Sequence, residues 1–155
     1  MASFLPPIPK FIFTVFEPLS LIAGTVASIL NPNVFSANQI PGSPVRPLSP
    51  NDLMTTLQLS NLYLLCAMVG VGVLFSTTEP KVVRGYLIGL GLADIGHLAA
   101  TYYVLGPDTI NVARWNPQTA GNVGATAFLF LSRCLYLLGA FGADRQPKVT
   151  GKKAL

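Results

Sequence analysis

The sequence predicts an all-α polytopic membrane protein: a single domain built as a bundle of four transmembrane helices. Of its 155 residues, 51% are hydrophobic and only 10% are charged, whereas about a quarter of the residues in soluble domains are charged. The mean hydropathy is +0.54. Four apolar runs also approach the length of about 20 residues that a helix needs to cross a bilayer. Together these observations argue against a soluble globular protein.

The first helix is predicted over residues 11–30 and ends at Asn31-Pro32-Asn33. This run is too long for the core of a signal peptide, and no Ala-x-Ala cleavage pattern follows it, so we expect the helix to be retained. Residues 31–56 contain five prolines together with serine and asparagine. That composition predicts a loop.

The other three helices are predicted over residues 57–76, 82–105 and 122–143, and a polar tail follows over residues 144–155. The loop before the fourth helix holds the only tryptophan, Trp115. Because tryptophan is enriched where a membrane meets water, we expect Trp115 to lie at that interface.

Basic residues are concentrated on one side of the predicted bundle. Four spans put the N-terminus, the loop over residues 77–81 and the tail on that side, while the opposite side carries only Arg46 and Arg114. The basic residues of the first side are Lys10, Lys81, Arg84, Arg145, Lys148, Lys152 and Lys153. The positive-inside rule therefore predicts that both termini are cytoplasmic.

The chain ends in Lys152-Lys153-Ala154-Leu155. This ending resembles the dilysine retrieval signal of endoplasmic reticulum membrane proteins, which works only on a cytoplasmic tail. It predicts residence in the endoplasmic reticulum. The alternative is that the basic tail simply binds anionic lipid headgroups.

Charged and strongly polar residues occur inside the predicted membrane helices, where a central charge costs at least about 2.5–3.5 kcal/mol. They are Glu17, Gln58, Asn61, Asp94, His97 and Arg133. At 1.5 Å per residue from the cytoplasmic boundary, Glu17 lies about 9 Å deep and Asp94 about 18 Å deep, with Arg133 near the level of Asp94. We therefore predict an Asp94–Arg133 ion pair at the centre of the membrane, with Glu17 in a layer nearer the cytoplasm.

His97 lies one turn beyond Asp94 on the same helix face. Gln58 and Asn61 share a face of the second helix and are predicted to meet His97 near the lumenal side. The opposite face of the third helix is a stripe of small residues, for which we expect close packing against another helix. That stripe consists of Gly85, Gly89, Ala93, Gly96 and Ala100.

No cofactor, metal or nucleic-acid site is expected. The sequence contains no nucleotide-binding loop and no basic patch for nucleic acid, and its single histidine makes an all-protein zinc site improbable. Cys66 and Cys134 both lie in apolar runs and are interpreted as core-filling residues.

The chain resembles a family of small fungal integral membrane proteins named only as a domain of unknown function. The resemblance rests on Phe16-Glu17-Pro18, the segment Ala93-Asp94-Ile95-Gly96-His97, Trp115, Ser132-Arg133 and the opening Pro6-Pro7-Ile8-Pro9-Lys10-Phe11. It implies four helices and an uncharacterised activity. It also implies that relatives occur in fungal genomes, sometimes near secondary-metabolite genes.

Three functions remain open at this point. In the first, Glu17, Asp94 and His97 act as general acid and base in a cofactor-independent isomerase or cyclase for a terpenoid or polyketide-type metabolite that enters from the bilayer. In the second, the bundle is a non-catalytic scaffold for other biosynthetic enzymes or a lipid-binding accessory protein. A channel or transporter ranks last, because four helices enclose little pore and an Asp94–Arg133 pair would neutralise it.

Each polar residue also has a purely structural interpretation. Asp94 and Arg133 are equally consistent with a buried pair that only holds the helices together. His97 is consistent with a hydrogen-bonded packing residue, and Glu17 with a protonated side chain bonded to the second helix.

Overall fold

The structure is a computed structural model that describes residues 2–145, and within them every regular element is helical. The helices are α1 (Pro7–Leu30), α2 (Pro32–Ala37), α3 (Pro50–Ser76), α4 (Pro80–Leu105) and α5 (residues 117–137). Two short 3₁₀ turns, Gly106–Ile110 and Val112–Arg114, connect α4 to α5. The all-helical prediction is confirmed.

Three helices of the described segment are long and apolar enough to cross a membrane: α1, α3, and α4 together with the 3₁₀ turn that continues it. The chain is therefore an integral membrane protein by the length and composition of these helices. The fourth helical segment, α5, does not belong to this set. The four-span bundle consequently remains a prediction.

All five helices begin at a proline, which occupies the first helical turn. Proline suits this position because its missing N–H would have no partner there and its fixed φ fits a helix. The predicted loop over residues 31–56 is therefore wrong at two places. Residues 32–37 form α2, and residues 50–56 are the first turns of α3, where the Ser49 hydroxyl caps the backbone N–H of Asp52 at 3.2 Å.

The fourth helix begins five residues earlier than predicted and ends six residues earlier, at Leu137. Gly139 has φ = 79°, a left-handed conformation that glycine adopts readily. Its N–H donates to the carbonyl of Tyr136, and the N–H of Ala140 donates to that of Leu135. These are the two bonds of a Schellman motif, so the helix stops here and residues 138–143 are not part of it.

Two helices contain a π-helical stretch, Ile12–Phe16 in α1 and Ala120–Ala125 in α5. In the first, the N–H of Glu17 donates to the carbonyl of Ile12, five residues back. Pro18 follows directly, and its ring would clash with the carbonyl of Thr14 in a regular α-helix. The wider π turn accommodates that ring and leaves Glu17 at an irregular point of the helix.

The four long helices form two closely packed pairs, α1 with α3 and α4 with α5. A hydrophobic core joins the pairs at one end of the molecule, where residues near the N-terminus meet the end of α3 and the start of α4. The backbone N–H of Ala2 donates to the carbonyl of Leu74 at 2.6 Å, and Arg84 pairs with Asp144 at 2.8 Å. The N-terminus, the α3–α4 loop and the segment after α5 thus lie at the same end.

Close helix approaches occur at Gly24 and Gly70. A Cβ atom on Gly24 would lie 3.2 Å from the Tyr63 ring, and one on Gly70 would lie 2.8 Å from the Tyr86 hydroxyl. The small-residue stripe of α4 behaves differently: a Cβ on Gly85, Gly89 or Gly96 would meet no atom within 4 Å among the described residues. The expected close packing of this stripe is therefore wrong within the single chain, because α5 packs on another face of α4.

Trp115 is half-buried, and its indole N–H donates to the carbonyl of Thr109 at 3.1 Å. Its ring lies where a Cβ on Gly124 would be 3.2 Å away. Trp115 thus fixes the α4–α5 connection against α5. The predicted interfacial position of Trp115 is not tested by these contacts.

Candidate functional site in the membrane interior

Arg133 of α5 binds two carboxylates that come from two other helices. Its Nη1 lies 2.5 Å from Oδ2 of Asp94 on α4, and its Nη2 donates to Oε1 of Glu17 on α1. The Arg133 side chain is only 2% exposed, and its guanidinium stands 5.8 Å from the centre of the Phe13 ring. We call these three residues, Glu17, Arg133 and Asp94, the charged triad.

The Asp94–Arg133 pair matches the sequence prediction, but the separate cytoplasmic layer for Glu17 is wrong. The error lies in where the helices start. With α1 beginning at Pro7 and α4 at Pro80, Glu17 lies about 15 Å and Asp94 about 21 Å from their helix starts, at 1.5 Å per residue. The difference in depth between Glu17 and Asp94 therefore falls from about 9 Å to about 6 Å. The two ends of one guanidinium can bridge that distance.

The charged triad lines a cavity of about 590 Å³ between the two helix pairs. Glu17 and Asp94 therefore face one cavity, which the sequence left open. The rest of the wall is mainly apolar, and a volume of this size suits a small lipophilic molecule. The apolar and small wall residues are Leu21, Ala23, Gly24, Ala27, Leu59, Leu62, Leu90, Ala93, Gly121, Ala125 and Leu129.

His97 lines the same cavity, one helical turn from Asp94. Its Nε2 is buried and has no hydrogen-bond partner among residues 2–145. Nε of Arg133 is likewise buried and unpartnered within that range. A buried polar atom without a partner costs about 1–3 kcal/mol, so a hydrogen bond from a ligand in the cavity to either atom would remove such a cost.

Gln58 and Asn61 do not meet His97, contrary to prediction. Both side chains are exposed on α3, whereas Leu59, Tyr63 and Cys66 on another face of that helix line the cavity. Residues two apart on a helix point in very different directions. The amides near His97 come instead from Gln39, Gln118 and Asn122.

These three amides form a hydrogen-bonded cluster beside His97. Nδ2 of Asn122 donates to Oε1 of Gln39 at 2.7 Å, and Nε2 of Gln118 donates to Oδ1 of Asn122 at 3.4 Å. Sequence reasoning missed them because Gln39 and Gln118 fell in predicted loops and Asn122 at a predicted helix start. The signal that could have found Asn122 is Asn116-Pro117, a helix cap and first turn that place residue 122 well inside α5.

The triad can hold a proton without leaving unbalanced charge. Two ionised carboxylates around one guanidinium carry a net charge of −1, and the site becomes neutral when either carboxyl group is protonated. Burial of net charge is costly in an apolar surrounding. A site with one proton and two carboxyl groups can therefore donate at one position and accept at another.

Metal binding has no structural support in the described part of the chain, where no three histidine, cysteine or acidic side chains come together in a way that could hold an ion. Cys66 and Cys134 are free thiols in that part, each half-buried. Lys152 and Lys153 of the predicted retrieval signal lie outside the described residues.

Comparison with known proteins identifies one family. The family model described as "Domain of unknown function (DUF7704)" matches residues 2–143, which is nearly the whole chain. No curated protein matches the sequence. No solved structure matches it either.

Proposed function

The chain belongs to the DUF7704 family, and we propose that it is an enzyme of the endoplasmic reticulum membrane that isomerises or cyclises a lipophilic metabolite by acid–base chemistry. The substrate class is a terpenoid or polyketide-type secondary metabolite, in keeping with the resemblance to fungal proteins. No external cofactor is needed for such a reaction.

One observation carries this proposal: two carboxyl groups from different helices share one guanidinium in the wall of a cavity that is otherwise mainly apolar. A structural ion pair needs one acid and one base. The second acid adds a titratable group to a buried site, beyond the one carboxylate that neutralises Arg133. A proton held there serves a substrate that has no water around it.

The mechanism follows from the two acids. One carboxyl group adds its proton to a double bond of the bound substrate, which leaves a carbocation on the neighbouring carbon. Loss of a proton from another carbon to the second carboxylate forms a new double bond. One proton enters and one leaves, so the triad returns to its starting charge, while Arg133 keeps both carboxyl groups in place.

His97 supports the reaction from the same wall. It can relay a proton or hydrogen-bond a polar group of the substrate, since its Nε2 has no partner among residues 2–145. The substrate would enter sideways from the bilayer, because the wall beyond the triad is mainly apolar and its residues Ala23, Ala27 and Leu62 are exposed on the outside of the bundle.

Four spans with both termini in the cytoplasm complete the proposal. The basic residues on one side and the shared location of the N-terminus, the α3–α4 loop and Asp144 at one end of the molecule support this topology. In this arrangement α5 is the fourth span, and the two carboxylates offset the free-energy cost of placing its one arginine in the membrane. Retention would depend on Lys152 and Lys153.

The test is substitution with amides, which keep the shape of each side chain and remove proton transfer. Glu17→Gln and Asp94→Asn are each expected to lower product formation by about 100-fold or more, the usual contribution of a general acid or base. His97→Ala is expected to reduce it as well. Glu79→Gln, which changes an exposed glutamate at the start of α4, is the matched control and should retain full activity.

The measurement is the metabolite profile of a producing strain that expresses each variant, with protein levels checked in the membrane fraction. Unchanged products in Glu17→Gln, Asp94→Asn and His97→Ala at normal protein levels would refute the enzymatic proposal.

A second candidate function is a non-catalytic scaffold or lipid-binding accessory protein, and the bare small-residue stripe on α4 favours it. Gly85, Gly89 and Gly96 are exposed and have open space beside them, and such surfaces pack closely against other membrane helices. Gly89→Leu would then release a partner enzyme from the purified complex and leave the charged triad intact. Substrate conversion by the isolated protein would count against this function.

A further inference from the structure

A second cavity of about 360 Å³ lies beside the first, toward the end of α4 that is far from the hydrophobic core. His97 and Asn122 line both cavities, as do Leu59 and Tyr63. These residues therefore form the boundary between a charged chamber, which contains the triad, and a second chamber, in which His97 is the one ionisable acid or base that residues 2–145 contribute apart from the Tyr63 phenol.

Two residues that line the second chamber each have a buried nitrogen atom without a partner among residues 2–145. These atoms are Nε2 of Gln39 and Nε2 of His97. The orientation of Gln39 is fixed, because its Oε1 accepts the 2.7 Å hydrogen bond from Asn122. Its N–H groups therefore remain for something else, and buried donors of this kind are rarely left unpaired.

We propose that the second chamber binds a neutral oxygen of the ligand, a hydroxyl or a carbonyl carried by a lipophilic molecule. The Gln39 amide N–H donates to that oxygen. Nε2 of His97 either donates to the second lone pair or, in the other tautomer, accepts the hydroxyl proton. Ile40, Ala100, Val104 and Leu105 surround the rest of the chamber and suit a hydrocarbon body.

A charged headgroup fits the second chamber poorly. A carboxylate or phosphate would find the amides of Gln39 and Asn122, the Thr101 hydroxyl and one imidazole there, but no permanently charged cationic side chain among the described residues. A pure hydrocarbon would leave both nitrogen atoms unpaired. The neutral oxygen satisfies both nitrogen atoms, and it is the ligand group that the lining selects.

This inference deepens the proposed function. Only the location of the reacting double bond rests on that function. Asp94 and His97 are three residues apart on α4, so their Cβ atoms are about 5–6 Å apart. An oxygen held at His97 places the carbons a few bonds away next to the triad. The reacting double bond of the substrate would therefore lie a few bonds from its oxygen function.

The experiment measures binding, not turnover, with the full chain in lipid nanodiscs. The probes are hexadecan-1-ol and hexadecan-2-one, each carrying a photoreactive diazirine near the oxygen, and hexadecane carrying the same diazirine. The alcohol, the ketone or both are expected to label residues of the second chamber such as Ala100 and Val104. Unlabelled hexadecan-1-ol should compete, and hexadecane should not.

Gln39→Leu is expected to reduce labelling by up to about tenfold, the effect of losing one hydrogen bond. Gln58→Leu is the matched control, because it removes the same amide from the exposed face of α3, and should label normally. The double variant Gln39→Leu/Asn122→Leu removes both partners of the part-buried hydrogen bond between the two side-chain amides. It is used where the single variant folds poorly, and it should show the same loss of labelling.

Equal labelling by the hydrocarbon, no labelling of the second chamber, or normal labelling of both Gln39 variants would each overturn the proposal. Labelling of Glu17→Gln separates the two ideas. If that variant loses turnover and keeps oxygen-dependent labelling, both stand. If turnover never depends on Glu17 or Asp94 while labelling depends on Gln39, the acid–base mechanism fails and the oxygen site remains.

Discussion

Replacing Arg133 with leucine would test whether the charged triad is formed. The side chain is 2% exposed, and its two carboxylate partners are 8% and 14% exposed, so Arg133→Leu leaves two buried acids without a counter-ion. Breaking a buried pair in this way costs about 3–5 kcal/mol. For a chain of this length each kcal/mol lowers Tm by about 2–4 °C, so we expect a fall of about 6–20 °C.

The assay is thermal unfolding of the purified protein in one detergent, with two companion variants. Arg114→Leu removes an ion pair of similar length, 2.8 Å to Asp108, whose side chains are 65% and 45% exposed. Exposed pairs contribute about 0–1 kcal/mol, so its Tm should change little. The triple variant Glu17→Leu/Asp94→Leu/Arg133→Leu removes every charge and should recover most of the lost stability.

A Tm for Arg133→Leu within about 4 °C of the wild type, the largest change expected for an exposed pair, would show that the guanidinium does not hold the two acids. If the triple variant has the same low Tm as Arg133→Leu, the destabilisation comes from lost side-chain packing and not from unpaired charge.

The remaining predictions concern packing and location. Gly70→Leu should destabilise the fold by about 1–3 kcal/mol, the usual cost of overpacking, because even a Cβ there would lie 2.8 Å from the Tyr86 hydroxyl. Gly72→Leu should keep its Tm, because a Cβ on Gly72 would meet no atom of the described residues within 4 Å. Equal Tm values for the two variants would contradict the α3–α4 contact. Lys152→Ala/Lys153→Ala should move a fluorescently tagged chain out of the endoplasmic reticulum, as seen by microscopy, and unchanged location would remove the retrieval signal from the argument.

Composition predicts the helical membrane fold well, because a long apolar run inside a bilayer can satisfy its backbone hydrogen bonds in few structures other than a helix. The helix ends are less predictable. Pro50 and Pro117 were interpreted as loop residues, although proline is also the preferred first residue of a helix. The polar turns that follow each proline, such as Asn51-Asp52, hide the helix start from any method that looks only for apolar runs.

The ion pair of the site was predictable, because a charge inside the membrane needs an opposite charge beside it. Asp94 and Arg133 are the only acid and base at similar depth in the predicted helices, and the structure joins them at 2.5 Å. Glu17 was placed apart because α1 starts four residues before its apolar run. Gln39 and Asn122 could not be found from hydropathy, since amides in loops and helix ends are common and usually exposed.

The irregular turns of α1 and α5 explain how so small a bundle holds a polar site. In each helix a π-helical stretch comes before a member of the triad, Ile12–Phe16 before Glu17 and Ala120–Ala125 before Arg133. A π turn contains one residue more than an α turn, so it rotates all later side chains by about 100° relative to the earlier ones. In α1, Phe13 and Glu17 lie within and directly after this stretch, and both contact the Arg133 guanidinium. The extra residue rotates the part of α1 that follows, so that Leu21 and Gly24 line the cavity while Ile12 and Phe13 remain in the core.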